Sequence, residues 1–171
     1  QDEFAVLDER ARRFLLCMPA LPEHWQEGRD RLETMAAQLP AVTKGLVHRD
    51  LHDGQFIVAD ERISLLDFDL ICLADVSLDA GNLLAHIKLR ALQNNQKITA
   101  AAASGCGQAF LRGLGRQGEP GFEQRLLFYQ ATTFHRLTLL YALRPRWAHL
   151  MGSLVDEGKR CIDKMCRLRE K

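Results

Sequence analysis

The sequence predicts an α+β fold, mainly α, built as a helical domain with a small β-hairpin inserted near its start. Apolar residues recur every three or four positions over most of the chain, the period of a helix with one buried face. Between Gly45 and Leu66 that period gives way to short runs rich in β-branched and large apolar side chains. At 171 residues and 47% hydrophobic, the chain can bury one substantial core, so residues 1–171 are expected to form a single domain. No internal repeat or low-complexity tract divides it.

The elements follow in order. Phe4, Leu7, Ala11 and Phe14 mark a first amphipathic helix. A second starts after Pro22, carries Gly28, Leu32, Met35 and Leu39 on one stripe, and ends before Pro40, which cannot continue a helix. Leu46–Val47, Phe56–Ala59 and Ile63–Leu66 read as strands, and "ADER" between the last two supplies a hairpin turn without the Asn-Gly signal. Asp79 is expected to cap the helix "AGNLLAHIKLRALQ", its carboxylate accepting a free first-turn amide. A helix from Ile98 to about Leu114 carries "AAASGCG", small residues that suit a close helix–helix approach; "GCGQAFLRGLG" therefore reads as packing surface rather than a phosphate loop. "GRQGEPG" is a loop. Phe122, Leu126, Tyr129, Thr133, Leu137 and Leu140 define a long helix with a second apolar face through Leu127, Phe134 and Tyr141. Such a helix belongs in the middle of the domain, and Pro145 stops it. Leu154, Gly158, Cys161, Met165 and Leu168 define the last.

Composition narrows the function classes. Lys and Arg number 23 against 22 acids, so there is no basic excess to bind nucleic acid. No stretch supplies the roughly 18 uncharged apolar residues of a membrane helix, so no membrane partner is expected. Five cysteines without a CxxC spacing argue against a disulfide framework or zinc site, and "QDEFAVLDERARRF" lacks the apolar core of a signal peptide. A cytoplasmic setting is the expectation. His48 and His52, four residues apart, have no third ligand to make them a zinc pair.

Chemistry concentrates in "GLVHRDLHDGQFIVADERISLLDFDL", residues 45–70. If Phe56–Ala59 runs away from a point and Ile63–Leu66 returns to it, Gln55 and Asp67 lie side by side at the open end of the hairpin. The loop holding Asp50 leads into the same end. Three oxygen-bearing side chains then converge where a hard cation such as Mg²⁺, which takes one or two carboxylates and substrate phosphates, could bind. The apolar strands are the rigid support for that end.

His48-Arg49-Asp50-Leu51, with Gln55 five places past the aspartate, then Asp67-Phe68-Asp69 and "DVSLDAGNLLAH", resembles the catalytic and metal-binding segments of protein-kinase-like phosphotransferases. The pattern is closest to the aminoglycoside phosphotransferase or choline-kinase-like branch, over residues 45 to about 90. The resemblance implies a kinase-like C-terminal lobe and an ATP- and Mg²⁺-dependent kinase of a small-molecule hydroxyl. Asp50 would be the catalytic aspartate, taking the hydroxyl proton. Asp67 would hold Mg²⁺ bridging the nucleotide phosphates, and Gln55 would occupy the second metal position, where asparagine is usual and the extra methylene shifts the amide. Asp69 stands where protein kinases have glycine, as in the small-molecule branch. Asp79 resembles a buried aspartate that braces the catalytic loop. His48 is a packed support, and His52 either contacts substrate or stabilises the loop. His86, on an apolar helix face, reads as a satisfied core histidine.

No glycine-rich loop or strand lysine precedes Gly45, so the resemblance implies that an N-terminal nucleotide lobe lies outside this chain and that the isolated chain is inactive or nearly so. The alternative is a pseudokinase or binding module lacking catalysis, which Gln55 and the absent lobe both favour. Aminoglycoside itself is disfavoured as substrate. A polycation wants an acidic cleft, whereas the later helices carry mixed charge including Arg125, Arg136, Arg144 and Lys159. A sugar or choline-like hydroxyl fits as well.

Overall fold

A computed structural model describes residues 3–94 and 97–169. Helices α1 (Glu3–Leu15) and α2 (Trp25–Ala36) lead into strand β1 (Gly45–Val47). A hairpin of β2 (Phe56–Ala59) and β3 (Arg62–Leu65) follows, then β4 (Cys72–Ala74). Helices α3 (Ser77–Gln93), α4 (Ala100–Leu114), α5 (Phe122–Ala142) and α6 (Met151–Arg169) complete the chain. The protein is mainly helical, as the periodicity predicts, with the expected hairpin and a second small antiparallel sheet. Among the described residues no helix is long and apolar enough to cross a membrane.

Helix α5 is the axis of the domain, with α1, α2, α3 and α6 packed around it. Its two apolar faces explain the position: Phe128, Ala131, Leu137 and Phe134 meet Leu32, Leu89, Leu154 and Ile162 in one core. A smaller cluster of Leu7, Phe14, Trp25 and Leu139 ties α1 and α2 to the other end, where the Trp25 indole N–H donates to the His135 carbonyl at 2.9 Å. Gly81 permits the closest crossing: a Cβ there would stand 2.6 Å from the Tyr129 Cβ and 2.9 Å from the Gln130 backbone nitrogen. The small residues of α4 act as expected at Gly107, where a Cβ would sit 2.8 Å from the Leu84 side chain of α3. Thr99 caps α4 through the Ala102 N–H at 3.1 Å, and Gly115 at φ 70° ends it.

Three details differ from the expectation. Asp79 is not the cap of α3. The helix begins at Ser77, and Asp75, further upstream, accepts the Ser77 N–H at 2.9 Å with its side chain and the Leu78 N–H at 3.0 Å with its carbonyl. Asp75 also forms a buried ion pair with Arg125 of α5 at 3.2 Å, which fixes where α3 starts. Second, β4 was not foreseen; it pairs with β1, Val47 opposite Cys72 and Gly45 opposite Ala74. Third, β3 starts at Arg62 rather than Ile63. A two-residue turn at Asp60 and Glu61 pairs Ala59 with Arg62, and Asp60 takes the left-handed φ of 54° that such a turn needs.

Candidate active site

The turn sets the register of everything at the open end of the hairpin. Phe56 faces Leu65, so Gln55 falls opposite Leu66 and not Asp67, one residue short of the expected pairing. Leu66 is clasped from both sides. Its N–H donates to the Gln55 carbonyl at 2.9 Å, and its carbonyl accepts from His48 Nε2 at 2.6 Å. Because a carbonyl can only accept, His48 carries its proton on Nε2. The buried His48 thus fastens the loop containing Asp50 to the residue before Asp67, and its ring lies 5.5 Å from that of Phe68. It is the packed support that the sequence suggests.

The loop itself is held against strain. Arg49 has φ 71° and Asp67 has φ 59°, left-handed values that cost a non-glycine residue about 1 kcal/mol or more. The carboxylate of Asp79, reaching from the first turn of α3, accepts both the His48 N–H at 2.6 Å and the Arg49 N–H at 2.8 Å. Burial raises the Asp79 carboxyl above its ordinary value, and the two backbone hydrogen bonds pull the other way. Arg49 also reaches back to Glu3 of α1 at 3.2 Å. Past the aspartate, buried Asn82 of α3 donates to the Leu51 carbonyl at 2.9 Å while its own carbonyl accepts from Thr133 and Arg136 of α5. Sequence reading passed over Asn82. Its signal was a lone amide inside the apolar helix "AGNLLAH".

Asp50 opens on a cleft of about 510 Å³ bounded by α1, α3 and α5, with His52, Leu70 and His86 in its walls. Gln55 is buried, not a solvated loop amide, and its Nε2 lies 3.5 Å from Asp50 Oδ2. His52 accepts the Gly54 N–H on Nδ1 at 3.0 Å, so it does stabilise the loop, and its Nε2 lies 3.7 Å from the Asp50 carboxylate. Asp67 and Asp69 are exposed; among the described residues no hydrogen bond or ion pair engages either carboxylate.

His86 is not the satisfied core histidine expected of it. It lines the cleft and stacks on His52 with ring centres 5.0 Å apart, and its Nδ1 is buried without a partner. Burial foremost, with the neighbouring His52 and Arg136 adding to it, pushes its pKa down to about 3, so the ring stays neutral. Asp53, absent from the sequence-based set, completes this corner: it bonds Arg90 at 2.7 Å, and ligand atoms of His52, Asp53 and His86 lie within 4.8 Å of one another.

The profile of the phosphotransferase enzyme family matches residues 3–123, well over half of the chain and including every residue of this loop and hairpin. No curated protein matches it. The chain belongs to the phosphotransferase enzyme family, as the motifs of residues 45–90 imply.

Proposed function

We propose that this member of the phosphotransferase family is a Mg²⁺- and ATP-dependent kinase of a small-molecule hydroxyl, the chain being its catalytic and substrate lobe. The observation that carries the reading is the setting of Asp50: a carboxylate at the mouth of a cleft of about 510 Å³, on a loop that Asp79 and Asn82 fix to α3. That volume suits a metabolite-sized acceptor. Asp50 orients the acceptor hydroxyl and takes its proton as the oxygen bonds to the γ-phosphorus; the bond to the bridging oxygen breaks and ADP leaves with its electron pair.

Asp67 and Gln55 supply a carboxylate and an amide oxygen, hard donors of the kind Mg²⁺ takes together with phosphate oxygens, and these two residues would hold it. When bound, the ion neutralises phosphate charge. Leu46, Ile57, Val58, Ile63 and Leu73 are all exposed on the two ribbons, which supports a further lobe of the same protein as the partner that covers them and contacts the nucleotide.

The test is phosphate transfer from Mg-ATP by the protein carrying its upstream coding sequence. Asp50→Asn should lower the rate about 10²–10⁴-fold while ATP binding persists. The chain of residues 1–171 alone should transfer little. An Asp50→Asn rate equal to the parent would defeat the reading. It would favour instead a binding module without catalysis, the alternative suggested by the Gln55 amide turned onto the Asp50 carboxylate.

A further inference from the structure

The cleft that holds Asp50 is unusually cationic for a site meant to receive an alcohol. Arg10, Arg49, Arg90, Arg136 and Arg144 line it, against Glu3 and Asp50. Two of the five are matched: Arg49 to Glu3 at 3.2 Å and Arg90 to Asp53 at 2.7 Å. Among the described residues no carboxylate pairs with the other three. Arg136 donates to the neutral amide of Asn82. Arg144 lies over the Tyr141 ring at 4.8 Å. Arg10 has a buried Nε with no hydrogen-bond partner among the described residues.

For the half-buried Arg10 and Arg136 the missing counter-charge is costly, because each gives up hydration without gaining a partner, whereas Arg144 is exposed and keeps its water. Burial holds Arg136 below its ordinary pKa, with Arg10 and Arg49 pushing the same way and Glu3 and Asp50 opposing. The three groups come from separate parts of the chain, α1, α5 and the segment after α5, yet they face one space. The arrangement suits an anion. Asp50 cannot be that anion and also serve as base, because a carboxylate neutralised by three arginines is a poor proton acceptor. Nor does the cleft look like the seat of the ATP phosphates, since neither Asp67 nor Gln55 is part of its lining.

We propose that the acceptor is itself an anion, a hydroxylated carboxylate or phosphate ester, gripped through that group by Arg10, Arg136 and Arg144 while its hydroxyl is presented to Asp50. This rests on the kinase reading of Asp50 and deepens it. Planar guanidiniums suit both oxyanions, because each can accept two parallel N–H bonds. A cationic acceptor would meet three unmatched positive charges and be repelled.

The test is calorimetric titration of the chain with glucose, glucosamine, gluconate, 3-phosphoglycerate and glucose 6-phosphate, none of which requires transfer to be read. At least one anion should bind about tenfold tighter than glucose, and glucosamine weakest. Raising salt should weaken the anion and leave glucose unchanged. Arg136→Gln and Arg10→Gln should each abolish most of the preference. Arg144→Gln, at an exposed position, should weaken it about threefold or more. Comparing carboxylate with phosphate members identifies which oxyanion is preferred. Anions binding no tighter than glucose, including no binding by any of them, overturns the proposal. So does glucosamine binding best, or an Arg144→Gln chain with unchanged anion affinity. Anion binding by this chain, with no phosphate transfer from Mg-ATP by the protein extended upstream, would sink the kinase reading and keep the arginine site. Transfer to a neutral or cationic acceptor would do the reverse.

Discussion

The helices around α5 and the two β-ribbons are built to different standards. In the helical half Leu89 and Leu154 are 0% exposed, and apolar side chains from α2, α3, α5 and α6 fill one core. On the ribbons Ile63 is 71% exposed and Leu73 68%, and both sheets have two strands. Yet the proposed metal ligands flank the open end of the hairpin, Gln55 just before β2 and Asp67 just after β3, and the loop between β1 and β2 carries the proposed base. Two-stranded ribbons are marginal by themselves in water, so their placement has to come from elsewhere. It comes from polar bonds: Asp79 and Asn82 on α3 hold the loop, and the loop holds Leu66 through His48. The helical half supplies stability, the ribbons supply position, and a few hydrogen bonds connect the two.

That contrast can be broken by mutation. Phe134→Ala, in the centre of α5, should cost about 3–5 kcal/mol in urea unfolding, because it removes a fully buried ring from the main core. Asp79→Asn should cost about 1–3 kcal/mol, since the His48 and Arg49 N–H groups bond different carboxylate oxygens and the amide replaces one of these with an NH2 donor. Its distinguishing sign is faster amide exchange at those two residues while the core of α5 keeps its protection. If exchange quickens everywhere alike, the two halves are not separable.

Acid should act mainly on the helical half. His86 and His135 both have folded pKa values depressed by burial, His86 to about 3 from 6.5. The native state therefore binds fewer protons than the unfolded chain as pH falls below 6.5. For His86 the stability contributed is complete above pH 6.5 and is lost as pH falls toward 3, at up to about 1.4 kcal/mol per pH unit, and His135 adds a loss of the same sign. Asp79, whose carboxyl is raised, works in the opposite direction and softens the loss. His86→Gln should flatten the fall of melting temperature between pH 6 and 4 by roughly half. An unchanged slope would place the titration elsewhere. The smallest effect belongs to the ribbon: Ile63→Ser should shift unfolding by no more than about 0.5 kcal/mol. A cost approaching that of Phe134→Ala would show that the exposed face is buried in solution.

The same division explains what the sequence disclosed. Helices α1, α2, α5 and α6 were legible because each buries one or two continuous faces, which writes a period of three and four into the residues. The hairpin was legible for the matching reason in strands. Strand β1 was read at Leu46–Val47, but β4 is three residues long, too short for a period, and its pairing with β1 across the intervening hairpin leaves no local trace. Asp50 and Asp67 stood out through motif order, and Asp79 through its place in that order. The capping role first given to Asp79 belongs to Asp75, because the ion pair with Arg125, fifty residues away, decides where α3 begins. Asn82, Asp53 and the arginine cleft were hidden for that reason too. Their meaning lies in contacts between helices that only the folded chain brings together.

The clasp on Leu66 has an evolutionary reading. Both of its bonds fall on peptide groups of that residue, whose own side chain takes no part in either. The spacing between the proposed base and the proposed metal ligand is therefore guarded by main-chain chemistry, which no substitution at position 66 other than proline removes. Lineages would be free to drift there without loss of geometry, whereas His48, whose ring supplies the donor, should be the position at which drift is punished.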